Sequence, residues 1–211
     1  MTQDKYQISV GTFDRLADKY AERFMHFRHY EETFEKILRY FPAEHGEVLD
    51  IGCGPGNISA WLTSKRPELQ ITGTDLSPAM VNLARQHVPF GNFQVLDARD
   101  THKVDGSYDL IVCGFCIPYL DIADTRLLLT RIAERLKPSG ILYLSYIDGD
   151  PANNGLQTNG NGDSVFSHYY TATLMAEMMA SAGLVILSAD DRTLPDSDSL
   201  ETFIYAAHAS V

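Results

Sequence analysis

Cysteine is scarce in this 211-residue chain, which has only Cys53, Cys113 and Cys116. A small odd number excludes a disulfide framework. Cys113 and Cys116 have the spacing of half a metal site, but no second Cys or His pair follows, so both read as buried thiols and no metal is expected. Long apolar runs are missing too. The longest, "LIVCGFCIPYL" from Leu110, falls short of the about 20 residues a membrane span requires. The opening "MTQDKYQISV" lacks a basic region followed by an apolar stretch, so no secretory signal is expected and the expected location is cytoplasmic. Positive charge is the third shortage: 17 Lys and Arg stand against 28 Asp and Glu, a net charge of −11. Such a field repels nucleic acid and anionic membranes at long range, and no basic cluster offsets it. The expected partner is a small molecule. Nothing in the sequence speaks to oligomeric state.

The 45% of hydrophobic residues suffices for one packed domain over residues 1–211. Residues 1–45 read as a helical cap. Phe13, Leu16, Ala17, Tyr20 and Phe24 recur at helical spacing, as do Phe34, Ile37, Leu38 and Phe41 before Pro42. Residues 46–211 read as an α/β core. Short β-branched runs ("VLDI", "LQITGTD", "NFQVLD", "YDLIVCG", "GILYLSYI") alternate with helical patterns, and "LVILSAD" and "LETFIYAAH" close the chain as an antiparallel pair. Ser77 and Pro78 mark one helix start and Asp121 another. The Gly-, Asn- and Asp-rich stretch after Asp148 reads as a long loop over 148–168 on the substrate side. Open α/β sheets bind ligands beyond the carboxyl ends of their strands, so the residues just after each strand carry the function.

The first such turn is "VLDIGCGPGN", Val48 to Asn57. A dinucleotide fingerprint spaces its glycines G-x-G-x-x-G, with a pyrophosphate at the helix N-terminus. Here Gly52, Gly54 and Gly56 bring the third glycine one position early. Asp50 stands two residues before the turn, poorly matched to a pyrophosphate. It suits a ligand with an ammonium group and a sulfonium, S-adenosylmethionine. Asp75 ends the second strand, where a carboxylate can accept from ribose hydroxyls, with a helix cap as the alternative. Asp97, beside Ala98, ends the third strand and would face an adenine amino group.

From Val48 to about Ile147 the chain resembles the class I S-adenosylmethionine-dependent methyltransferases. The matches are "VLDIGCGPGN", "ITGTDLSPAM", "FQVLDARD", "YDLIVCG" and "LKPSGILYLS", in order. The resemblance implies a Rossmann-like seven-stranded sheet of order 3-2-1-4-5-7-6, its last strand antiparallel and helices on both faces. It implies that Phe13 and Tyr20 lie on a helix covering the cofactor, with core packing as their alternative role. It puts S-adenosylmethionine against Tyr20, Asp50, Gly52, Cys53, Gly54 and Asn57, then Asp75 and Leu76, Asp97 and Ala98, and Cys113 and Gly114. The fourth-strand loop "CGFCIPYL" departs from the "NPPY" loop of amino-methylating enzymes: Cys116 and Ile117 replace its polar residue and first proline. Phe115, Pro118, Tyr119 and Tyr169 are expected to wall the acceptor pocket, and His168 is the candidate base or substrate ligand. His26 and His29 read as a solvated face. The expected activity is in-line transfer of a methyl group to a small molecule. Two alternatives stay open: an NAD-binding oxidoreductase of related topology, and a non-catalytic binding module.

Overall fold

The computed structural model describes residues 5–193 and 199–209. Five parallel strands come first: β1 (His45–Ile51), β2 (Glu68–Asp75), β3 (Asn92–Val95), β4 (Tyr108–Cys113) and β5 (Leu136–Asp148). A short hairpin follows, β6 (Gly155–Thr158) and β7 (Ser164–Ser167). The last two strands, β8 (Leu184–Thr193) and β9 (Leu200–His208), are antiparallel to each other, and β9 is antiparallel to β5. The seven-stranded sheet runs β3-β2-β1-β4-β5-β9-β8. With the hairpin set aside this is the expected 3-2-1-4-5-7-6 order.

Among the described residues six helices surround the sheet: α1 (Lys5–Phe24), α2 (Glu31–Tyr40), α3 (Asn57–Lys65), α4 (Pro78–His87), α5 (Ile122–Arg135) and α6 (Ala172–Ser181). The strands are buried on both faces, and their alternation feeds two cores. Leu49, Ile51, Ile111 and Leu142 meet Leu128, Leu129 and Ile132 of α5 and the methionines of α6. Val48, Leu110, Val112 and Tyr143 meet Phe34 and Ile37 of α2, Leu62 of α3 and Val81 of α4. Caps fix where helices start. The Met80 amide donates to Ser77 Oγ at 3.2 Å, and the Asp124 amide to Asp121 Oδ1 at 2.9 Å.

Two expectations about local structure need correction. The stretch after Asp148 is the β6–β7 hairpin behind a 3-10 turn at Pro151–Asn153, and is no open loop. Its Asn and Gly content marks the hairpin turn itself: Asn159 Oδ1 accepts from the amides of Asn161 (2.9 Å) and Asp163 (3.0 Å). The hairpin is docked on α1. Thr12 Oγ1 donates to the Ser164 carbonyl at 2.7 Å, the Phe166 amide donates to Ser9 Oγ at 2.9 Å, and Arg15 pairs with Asp163. The N-terminal cap is the two helices expected, but His29 is not on a solvated helix face: a 3-10 turn at Arg28–Tyr30 separates α1 from α2, and His29 falls in it with its ring against Tyr30.

Candidate active site

The ends of β1, β2, β3 and β4 converge under α1. The glycine turn after β1 needs its glycines for two reasons. Gly52 has φ +67°, and a methyl group there would come within 2.8 Å of Cys116 Cβ. Gly54 has φ +53°, and a methyl group there would point across open space to Tyr20, 3.9 Å away. The turn is tied to β2 by the Cys53 amide, which donates to the Thr74 carbonyl at 2.9 Å.

Asp75 holds this turn and the next helix together. Its Oδ2 accepts from the Gly54 amide and its Oδ1 from the Ser77 amide, each at 2.9 Å. Burial still raises its pKa, against the lowering effect of those amides. Asp50 lies deeper, 2% exposed, and accepts from Ser59 Oγ at 2.6 Å. Burial first, and then the neighbouring Asp75 charge, push its pKa up to about 7. Asp97 caps the 3-10 turn that follows β3 and accepts Nε (3.0 Å) and Nη2 (2.6 Å) of Arg99. The Arg99 guanidinium lies over the Tyr6 ring at 4.4 Å.

An open cavity, about 880 Å³ of space counted out into solvent, lies between the strand ends and α1. Tyr20, Gly52, Gly54, Asn57, Asp75 and Leu76 line it, as do Asp97, Ala98 and Gly114, with Phe115 and Tyr119 on the other wall. Among the described residues none that lines it is Lys, Arg or His. Phe115 is the one non-glycine with positive φ (+61°) among the described residues, and its amide donates to Ser145 Oγ at 2.8 Å. Backbone strain of this kind collects at functional sites.

Other expected residues stand outside the lining. Asp50 is beneath the turn. Cys53 points into the sheet-side core, 3% exposed, and Cys113 is fully buried in the opposite core, bonded to the Cys116 thiol. Pro118 is buried, and its carbonyl accepts the His168 amide at 2.7 Å. His168 is 6% exposed and is not among the residues lining the cavity. Tyr169 is turned to the end of β5. Its amide donates to Asn154 Oδ1 at 2.7 Å, and a methyl group on Gly149 would come 3.0 Å from its ring. No residue of 148–168 is among those lining the cavity; β7 packs on α1 and on the 117–119 turn, behind Ser9 and Tyr119, which do line it. Conversely, Tyr6, Ser9, Val10 and Cys116 line it without having been singled out. The spacing 6, 9, 10, 13, 20 is one helical stripe, and continuing the Phe13–Tyr20 pattern backwards would have found its upper half.

Residues 48–140 match the family model described as "Methyltransferase domain". This stretch is similar to a methyltransferase domain. It holds the glycine turn, Asp75, Asp97 and the β4 loop, while α1, α2, the hairpin and the last two strands lie outside it. The chain is 31% identical over 127 residues to trans-aconitate 2-methyltransferase of Variovorax paradoxus, which covers 58% of this chain and 48% of that protein. It is 33% identical over 142 residues to demethylmenaquinone methyltransferase of Thermotoga maritima, 64% of this chain and 60% of that protein. The chain thus spans about half the length of the curated relatives it matches. Among solved structures, the 1,6-didemethyltoxoflavin-N1-methyltransferase of Burkholderia thailandensis, with bound S-adenosylhomocysteine, superposes with a TM-score of 0.76 at 16% identity, over 100% of this chain and 92% of that one. Magnesium protoporphyrin IX methyltransferase from Synechocystis, with bound SAM, gives 0.74 at 15% identity over 98% of both chains. At these identities the likeness is one of fold.

Proposed function

We propose that this protein transfers a methyl group from S-adenosylmethionine to a small-molecule acceptor. The observation that carries it is the charge pattern of the cavity: among the described residues its lining has carboxylates at Asp75 and Asp97 and no Lys, Arg or His. A doubly negative pyrophosphate would meet Asp75 with no cation to offset it, whereas a ligand with a sulfonium and an ammonium group fits. The donor set fits the rest of the molecule. Asp75 retains acceptor capacity toward ribose hydroxyls beyond the two amides it already binds, since two carboxylate oxygens offer about four acceptor sites. Asp97 and the Ala98 backbone would read the adenine edge, with Arg99 fixing the carboxylate plane. Gly54 leaves room for close approach, and Tyr20 and Phe13 close the cavity from α1.

When bound, the sulfonium supplies an already activated methyl group. The chain's own contribution is alignment. Phe115 and Tyr119 present the acceptor to the cavity from the β4 side, and the cover of α1 keeps water out. Positioning of this kind can supply much of the acceleration of a two-reactant displacement. Trans-aconitate, named in the relatives, is an acid, and this lining offers no cationic side chain to hold one. We infer an acceptor other than a polycarboxylate.

The test is a thermal shift. S-adenosylhomocysteine should raise the melting temperature and Asp75→Ala should abolish the rise. A shift with NAD and none with S-adenosylhomocysteine would favour an oxidoreductase instead. Binding of S-adenosylhomocysteine without transfer to any compound in a broad acceptor screen would favour a binding module.

A further inference from the structure

One buried carboxylate has no part in holding the cofactor. Glu201 begins the buried stretch of β9 and pairs in register with Ile147, near the carboxyl end of β5, which is the ligand side of the sheet. It is 9% exposed. Its Oε2 accepts from the Tyr30 hydroxyl at 2.7 Å. Its cross-strand neighbour on β8 is Arg192, but that guanidinium turns away to Glu32. Among the described residues Glu201 has no ion pair. A carboxylate taken out of water without a cation is expensive and is seldom kept without a use.

The surroundings indicate the use. The Tyr30 ring packs on Phe115 with centroids 4.7 Å apart, and Phe115 is the strained residue of the cavity wall. Phe13 meets Tyr119 at 4.9 Å and Tyr20 at 6.0 Å, both edge-on. The charge of Glu201 is felt by the phenols of Tyr20 and Tyr119, both of which line the cavity, and it adds to the burial that raises their pKa. So the wall opposite the glycine turn is aromatic, with one uncompensated negative charge behind it. Aromatic faces backed by a carboxylate are the chemistry that recognises an ammonium group.

We propose that the acceptor carries a positively charged amine, received by the aromatic wall of Tyr20, Phe115 and Tyr119 and neutralised by Glu201. Glu201 then determines acceptor charge and leaves the cofactor untouched. Calling the bound amine the acceptor rests on the methyl-transfer assignment; the amine site itself does not.

The experiment is calorimetric titration of the full chain. S-adenosylhomocysteine is titrated first, and failure to bind counts against the cofactor assignment alone. Phenethylamine and 3-phenylpropionate are then titrated, with and without S-adenosylhomocysteine. The amine is expected to bind at least tenfold more tightly than the carboxylate. Glu201→Gln should weaken the amine at least tenfold and leave S-adenosylhomocysteine affinity within about twofold. Tyr30→Phe, which removes only the hydrogen bond to Glu201, guards against a folding defect in the first variant. It should weaken the amine severalfold and preserve the preference for amine over carboxylate. Equal or tighter binding of 3-phenylpropionate, binding of neither probe, or an amine affinity unchanged in Glu201→Gln would each overturn the proposal.

Discussion

The Gly54 amide reaches across to Asp75 and is held by its carboxylate at 2.9 Å, while the other oxygen of Asp75 takes the Ser77 amide at the same distance. One side chain therefore sets both the glycine turn and the start of α4. An asparagine in its place has only one oxygen, so one of the two amides loses its acceptor. Asp75→Asn is expected to weaken S-adenosylhomocysteine by about 10- to 100-fold, the size of one or two charge-assisted hydrogen bonds. Isothermal titration reads this directly. Unchanged affinity would remove Asp75 from the ribose site.

Asp50 makes stability depend on pH. Its pKa is raised from 3.8 to about 7 in the folded chain. At a pH below the unfolded value both states hold the proton and nothing is lost. As pH rises from about 4 to about 7 the unfolded chain sheds its proton first, so stability falls; above about 7 the loss is complete. Its ceiling is roughly 4 kcal/mol, taking about 1.4 kcal/mol for each pH unit between the two values. Asp50→Asn keeps an oxygen for Ser59 and cannot ionise. In urea titrations it should match the parent near pH 4 and exceed it increasingly up to pH 7.5. A gap that stays constant with pH would refute the raised pKa.

Gly52 and Gly54 separate fold from ligand. Alanine at Gly52 meets both a positive φ and Cys116 at 2.8 Å, and is expected to cost about 2–4 kcal/mol of stability. Alanine at Gly54 meets only Tyr20 at 3.9 Å, so its cost is about 1–2 kcal/mol for the left-handed backbone alone. Its methyl group enters the cavity, so cofactor affinity should drop more than stability does. Thermal melts with and without S-adenosylhomocysteine distinguish the two. Equal loss of stability in both variants would contradict the geometry.

The cover over the cavity is latched by side chains of α1. Ser9 and Thr12 hold the hairpin, and Asp14 accepts from Ser77 Oγ (2.7 Å) and the Ala79 amide (2.9 Å) at α4. The double variant Ser9→Ala, Thr12→Val should speed hydrogen exchange across α1 and weaken S-adenosylhomocysteine by about 3- to 10-fold. The strands β1, β4 and β5 should exchange as before. Unaltered exchange in α1 would show that the latch lies elsewhere.

The cofactor half of the site was legible because its signals are local. Three glycines, a cap at Ser77–Pro78 and acids at strand ends each depend on a few neighbouring residues, and the order of strands followed from their alternation with helices. On the opposite wall Phe115 and Tyr119 were legible from the loop after β4, but the carboxylate behind them was not, because its contacts come from distant stretches. Glu201 is 171 residues from Tyr30, the residue it bonds, and neither has a motif around it. His168 read as functional from its company in "FSHYY", but its backbone is claimed by Pro118, and it is buried and not among the residues lining the cavity. The stretch after Asp148 read as a lid because polarity alone does not distinguish a loop from a small hairpin with a polar turn.

The latch between α1 and the hairpin joins residues 152 and 157 positions apart. During synthesis α1 therefore emerges long before the segment that will hold it. The stretch 48–140, which matches the methyltransferase family model, can assemble its parallel strands in the interval, and α1 can dock on α4 through Asp14 before the hairpin exists. Loop closure over such a span is slow compared with local packing. The nascent chain thus acquires the floor of its binding site first, and the hairpin's hold on its roof last.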